Sequence, residues 1–194
     1  MQSNKLDMAD FPAILPRLEL SHAAAAHVNG SKRASEALTR LMQADHLIEA
    51  ARLCAYALPS REAVWWAARC ARATASAELK DQDRQACDLA EQWVRNRADE
   101  TRRSAMEKAQ AAGFTTPEAW AAVAAFWSGD SMSPPDQPKV PPAPHLTGTA
   151  VAGAVILASV RVRPERQMER LRRFLRSAVD IAGGGGGHLE QEPA

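Results

Sequence analysis

The stretch Thr116-Pro117-Glu118-Ala119-Trp120-Ala121-Ala122-Val123-Ala124-Ala125-Phe126-Trp127-Ser128-Gly129 carries a full set of helix instructions. Thr116 has a hydroxyl suited to accept from the N–H groups that a helix start leaves unpaired. Pro117 fits the first helical position, and Glu118 suits the positive end of the helix dipole. Trp120, Val123, Ala124 and Trp127 fall on one face at helical spacing, and Ser128-Gly129 ends the segment. Alanine makes up about a fifth of the whole chain while β-branched residues are few, a balance that favours helix almost everywhere and leaves strands little to be made from. An all-α fold is expected.

Working outward, the same punctuation recurs. Upstream, helices are predicted from Ser31 or Lys32 to Ala44, from Asp45 to Leu58, from Arg61 to Ala77, from Asp81 or Asp83 through Trp93 and Val94, and from Asp99 to Ala112. Pro59 and Ser60 separate the second from the third, and Gly113, able to take positive φ, stops the fifth. Downstream, six prolines between Ser131 and Pro144 preclude helix and predict an extended strap over 131–145. Helices resume over Thr147–Val162 and Pro164–Ala182. The result is an irregular orthogonal bundle of seven to eight helices with no fixed repeat period. Residues 1–30, with Pro12, Pro16 and Gly30, form an irregular arm in which Leu15, Leu18 and Leu20 can dock on the body and His22 and His27 belong to a short helix. Residues 183–194, opening with five glycines, are expected to be a disordered tail.

At 194 residues the chain is long enough for one domain with its own core, residues 31–182. Lys and Arg number 24 against 23 Asp and Glu, so the overall basic excess that favours nucleic acid is lacking. Cys54, Cys70 and Cys87 are odd in number and show no metal-ligand spacing, which points to small core residues in a reducing compartment. Met1–Asp10 is not followed by an apolar run of leader length, and Leu146–Val160 falls short of the roughly 20 residues that span a bilayer. A cytoplasmic protein without a transmembrane segment is expected.

No catalytic, cofactor or metal set emerges. His22, His27, His46, His145 and His188 lack metal spacing, and nucleophile elbows and phosphate loops are absent. A pair such as Cys70 with His46 would need assembly from distant helices. What remains is contact chemistry. Five tryptophans among so many alanines fill helix crossings, and Trp65 and Trp66, about 100° apart on one helix, need not share one core. One of these two is the expected exposed exception, and tryptophan is a common interface anchor. The strap has PxxP spacing at Pro135, Pro138 and Pro141, which suits either a docking ligand or a brace laid over the chain's own tryptophans. The last helix carries Arg161, Arg163, Arg166, Arg170, Arg172, Arg173 and Arg176, but Glu165, Glu169 and Asp180 share it, so a salt-bridged solvent face is expected before an anionic partner.

Three stretches carry a resemblance. They are Leu58-Pro-Ser-Arg-Glu-Ala-Val-Trp-Trp-Ala-Ala-Arg-Cys-Ala-Arg72, the quoted Thr116–Gly129, and Ser131-Met-Ser-Pro-Pro135 running on to Val140-Pro-Pro142. Over residues 45–182 the chain resembles a family of small bacterial proteins with a domain of unknown function, marked by PxREAVWWA and FWSGxSMxPP segments and often encoded near type VI secretion genes. The resemblance implies a non-enzymatic adaptor or chaperone-like accessory protein acting on a secretion component or effector. No binding residues carry over from the family; the expected contact residues, read from the tryptophans and the proline corner, are Trp65, Trp66, Trp127, Met132, Pro134 and Pro135, and no cofactor is implied. The alternative is a protein that binds nucleic acid or an anionic surface through the arginine-rich last helix.

Overall fold

In the computed structural model, which describes residues 4–193, ten α-helices and no strand occur among the described residues. They are α1 (Phe11–Ile14), α2 (His22–Val28), α3 (Ala34–Gln43), α4 (Leu47–Ala57), α5 (Ser60–Ala73), α6 (Asp81–Asn96), α7 (Asp99–Ala111), α8 (Pro117–Trp127), α9 (Leu146–Val160) and α10 (Gln167–Ala182). The eight helices read from sequence are α3 to α10. Boundaries moved where the backbone turns early: Asp45 takes φ 64°, so α4 starts at Leu47, and α5 closes at Ala73, four residues before the expected end. Pro164–Arg166 forms a 3-10 turn ahead of α10.

The quoted stretch folds as its residues demand. Thr116 Oγ1 accepts the Ala119 N–H at 3.2 Å and donates to the buried Asp83 carboxylate at 2.6 Å, tying the starts of α8 and α6 together. Ala119, Ala121, Ala122, Ala124 and Ala125 are all fully buried, so α8 is covered on most sides, by α5, α6, α7 and α9. Such short side chains let helix axes approach closely. The neighbouring α9 is apolar around its circumference and packs on α4, α5, α8 and α10. Gly148 of α9 faces the Tyr56 ring of α4 so closely that a Cβ would collide with it, and Tyr56 Oη lies 3.1 Å from Thr149 Oγ1. A bend of 114° then sends α10 back across α4, α5 and α9. No single helix is long and apolar enough to cross a membrane, and α9 serves as a core helix.

Large rings fill the remaining space. Trp66 is 0 % exposed and donates its Nε1–H to Phe174 O at 2.8 Å, joining α5 to α10, and Trp93 is buried from α6. Trp66 therefore cannot be the exposed exception or a partner contact. Burial of the indole with its one polar atom satisfied is the lower free energy arrangement.

The two ends differ from expectation. The arm contains α1 and α2 and is fixed to the body, with Leu6, Phe11, Leu18, Ala24 and Val28 buried and the Asp7 carboxylate accepting from the Ser35 N–H at 2.9 Å and its hydroxyl at 2.8 Å. Leu18 docks as foreseen, while Leu15 and Leu20 are partly buried. The tail is not disordered over its described residues. It lies on the domain, held by Ser177 Oγ donating to Gly187 O at 2.8 Å and by the Glu192 N–H donating to Ala73 O at 2.8 Å. Composition alone hid these tertiary partners.

Replacing Trp66 with Ala removes a fully buried ring and is expected to cost about 3–5 kcal/mol. Gly148→Ala overpacks the α4–α9 contact and is expected to cost about 1–3 kcal/mol. Urea unfolding of both variants, followed by circular dichroism, checks the two values.

Candidate functional site

The corner after α8 is built from its own hydrogen bonds. Ser128 Oγ donates to Ala124 O at 2.7 Å and lies 3.2 Å from Thr147 Oγ1, joining the end of α8 to the start of α9. Arg102 of α7 is only 2 % exposed, donates to Phe126 O at 3.2 Å and lies over the Phe126 ring at 5.2 Å. Its charge is met by Asp99 and, at 3.8 Å, by Asp130. A Cβ at Gly129 would collide with this guanidinium, so a larger residue there obliges the Arg102 side chain to move.

From this base the strap closes into a loop. Ser131 Oγ is buried and accepts the Ser133 and Val140 N–H groups, each at 3.1 Å, while the Met132 N–H donates to Val140 O at 2.7 Å. The Gln137 N–H donates to Pro134 O at 3.1 Å, and Lys139 pairs with Asp130. The segment thus doubles back on itself instead of crossing the body as a brace. Pro134, Pro135, Pro138 and Pro141 are exposed, and Val140 is 51 % exposed beside them. Met132 and Trp127 are half-buried, and Trp127 meets Trp120 edge-on with ring centroids 6.5 Å apart. Of the expected contact residues, Met132, Pro134 and Pro135 belong to this loop, and Trp127 is the last residue of the helix that leads into it. Trp65, on α5, is half-buried elsewhere, with its Nε1–H donated to Gly186 O at 2.9 Å and the Arg69 guanidinium 5.6 Å from its ring.

The arginines of α10 and of the 3-10 turn before it are largely engaged by carboxylates. Arg172 pairs with Asp45 at 2.8 Å and Arg166 with Glu169 at 2.7 Å, while Arg166, Arg170 and Arg173 converge on Glu192 at 3.1, 2.8 and 3.0 Å. Arg161, just before α10, pairs in a two-pronged contact with Glu118, which is 1 % exposed. Sequence reasoning missed both carboxylates: Glu118 reads only as a partner of the helix dipole, and Glu192 falls in the glycine-led tail. The available signal was Leu189 set among acidic residues opposite an arginine-rich helix.

All three cysteines are buried, and burial pushes each thiol up from its ordinary value. That is the reverse of what a nucleophile needs. Instead of facing Cys70, the His46 ring lies 5.3 Å from His27. No cluster of three His, Cys, Asp or Glu residues suited to a metal occurs among the described residues.

Fold and surface together define an all-α domain of closely packed small-faced helices that displays a closed proline loop at one corner and an arginine cluster on its last helix. The chain belongs to DUF6931, a family of unknown function, whose sequence pattern matches residues 37–182. The match runs from within α3 to the last residue of α10 and leaves the tail outside. No curated protein and no solved structure matches the chain.

A thiol reagent such as Ellman's is expected to leave Cys54, Cys70 and Cys87 unmodified in native protein and to titrate all three in denaturant; rapid reaction of any one in the native state contradicts their burial. The acid side gives a second expectation. Burial acts to raise the Glu192 carboxyl, but hydrogen bonds from Arg170 and the charges of Arg170, Arg166 and Arg173 outweigh it and hold the group below its ordinary value of 4.5. A depressed carboxyl contributes stability that is complete above its unfolded value and is lost as pH falls through the folded one. The stability difference between wild type and Glu192→Gln is therefore expected to be constant from about pH 7 down to about pH 5 and to vanish in stronger acid, read as urea midpoints across pH.

Proposed function

We propose that this protein is a non-enzymatic, cytoplasmic accessory protein, adaptor- or chaperone-like, that acts by protein–protein contact with a component or effector of a type VI secretion machinery. The observation that carries the contact reading is the loop at 131–145. Its base is fixed by the buried Ser131 hydroxyl and the Met132–Val140 bond, so Pro134, Pro135 and Val140 are presented with much of their ordering cost already met by the fold. Exposed apolar groups on a rigid scaffold, next to a half-buried tryptophan, suit a partner that covers them. The secretion assignment rests on the resemblance of the 58–72, 116–129 and 131–142 segments.

The test is capture from native bacterial cells with the tagged chain, followed by mass spectrometry. A type VI component or effector is expected among the captured proteins. The triple change Pro134→Ser, Pro135→Ser and Val140→Asp should abolish its recovery with the melting temperature unmoved. Recovery of no secretion component, or capture indifferent to the triple change, overturns the reading.

A further inference from the structure

Beyond α10 the chain runs along its own domain in the manner of a bound peptide. Ser177 Oγ donates to Gly187 O at 2.8 Å, Arg173 Nη2 to Glu190 O at 2.7 Å, and the Glu192 N–H to Ala73 O at 2.8 Å. These backbone contacts would serve any extended segment. Two side chains add selectivity. Leu189 is half-buried against the core while Glu190 and Gln191 are exposed, and the Glu192 carboxylate enters the arginine cluster.

The receiving surface is organised by the domain itself. Arg170 Nη1 donates to Ser159 O at 3.1 Å and to Arg161 O at 2.6 Å, which fixes the guanidinium at the end of α9. Its two remaining donor atoms face the carboxylate, Nε at 3.0 Å from Oε1 and Nη2 at 2.8 Å from Oε2. This two-pronged geometry is the form in which arginine recognises a carboxylate best. With the tail seated, the Arg170 side chain is only 4 % exposed, and Glu192 supplies the anion that a cation so far removed from water requires. Arg166, which also pairs with Glu169, and Arg173 reach the same carboxylate, and this excess of cations favours an acidic occupant. Arg166, Arg170 and Arg173 lie within the family-matched residues 37–182, whereas the occupant lies outside them. The two are joined by five successive glycines, with Gly184 and Gly187 at φ 95° and 64°, and the Gly185 N–H donates to Asp180 O and the Gly187 N–H to Asp180 Oδ2, each at 2.8 Å.

We propose that the groove between the end of α5 and α10 is a docking site for an extended acidic peptide of pattern Leu-x-x-Glu from another protein, and that residues 187–193 occupy it in cis. Leu takes the half-buried seat of Leu189, Glu the arginine cluster, and the backbone takes the bonds from Arg173 and to Ala73. A tethered occupant competes at an effective concentration of about millimolar, so the free peptide binds appreciably only when the tail is weakened. This surface is separate from the 131–145 loop and stands or falls without it.

The experiment uses the full chain and a fluorescein-labelled peptide with the sequence of residues 187–193, followed by anisotropy at low salt. The double variant Leu189→Ala with Glu192→Gln is expected to bind this peptide at least about tenfold more tightly than wild type does. The same peptide with Gln in place of its Glu192 equivalent should lose binding to both, as should the double variant when it also carries Arg173→Gln. Hydrogen exchange on the wild type supplies an independent reading: amides of 187–193 are expected to exchange at least about tenfold faster than those of α10, by local opening. Absence of peptide binding to the double variant, binding indifferent to the Glu-to-Gln change, or tail exchange in step with α10 each overturns the proposal. A dimer held by exchanged tails would assign the occupant to a second copy and overturn it likewise.

Discussion

The close approach of α8 to its neighbours is the constraint on which the remaining structure depends. Five fully buried alanines on eleven residues leave that helix bulky only at Trp120, Val123, Phe126 and Trp127, so it sits centrally, surrounded by α5, α6, α7 and α9. Close helix contacts gain dispersion energy from many short-range atom pairs and leave gaps only where helices diverge. Trp66, Trp93 and Phe174 fill such places, and the bond from Trp66 Nε1 to Phe174 O sets where α10 lies over α5. The position of the arginine cluster follows from that contact, because the same helix carries Arg170 and Arg173 and the 3-10 turn that leads into it carries Arg166.

A second regularity concerns helix ends. The last carbonyls of a helix have no partner within it, and here arginines from other elements repeatedly supply one. Arg61 Nε donates to Val94 O at 2.8 Å near the end of α6, Arg102 to Phe126 O at the end of α8, and Arg170 to Ser159 O at the end of α9. A cation at a helix C-terminus also meets the negative end of the helix dipole. Arg102, Arg161 and Arg170 thereby direct their charge inward, toward carbonyls and toward Asp99, Glu118 and Glu192.

Local signals explain what was legible. Thr116-Pro117-Glu118 announced a helix start because a cap, a fixed φ and a favourable charge all act within one turn, and α3 to α10 could be read from similar marks. Gly113 likewise took the positive φ its position suggested. The losses came where distant groups decide. Asp45 adopts a left-handed conformation that its sequence neighbours do not require, Trp66 and Trp65 could not be ranked by exposure, and the five glycines masked a segment whose anchors lie on α5 and α10. At the loop, proline content correctly excluded helix but carried no information about Ser131, whose single hydroxyl closes the turn.

The small residues along α8 and α9 also bear on how this sequence can drift. One base change converts an alanine codon to Gly, Ser, Thr, Val, Pro, Asp or Glu, and most of these are larger, charged or unable to continue a helix. At Ala121, Ala122, Ala124 and Ala125, all without exposed surface, most single steps therefore overfill the contact, bury a charge or break the helix. Neutral variation is thus funnelled to the outer turns, the 131–145 loop and the tail, where most residues are exposed.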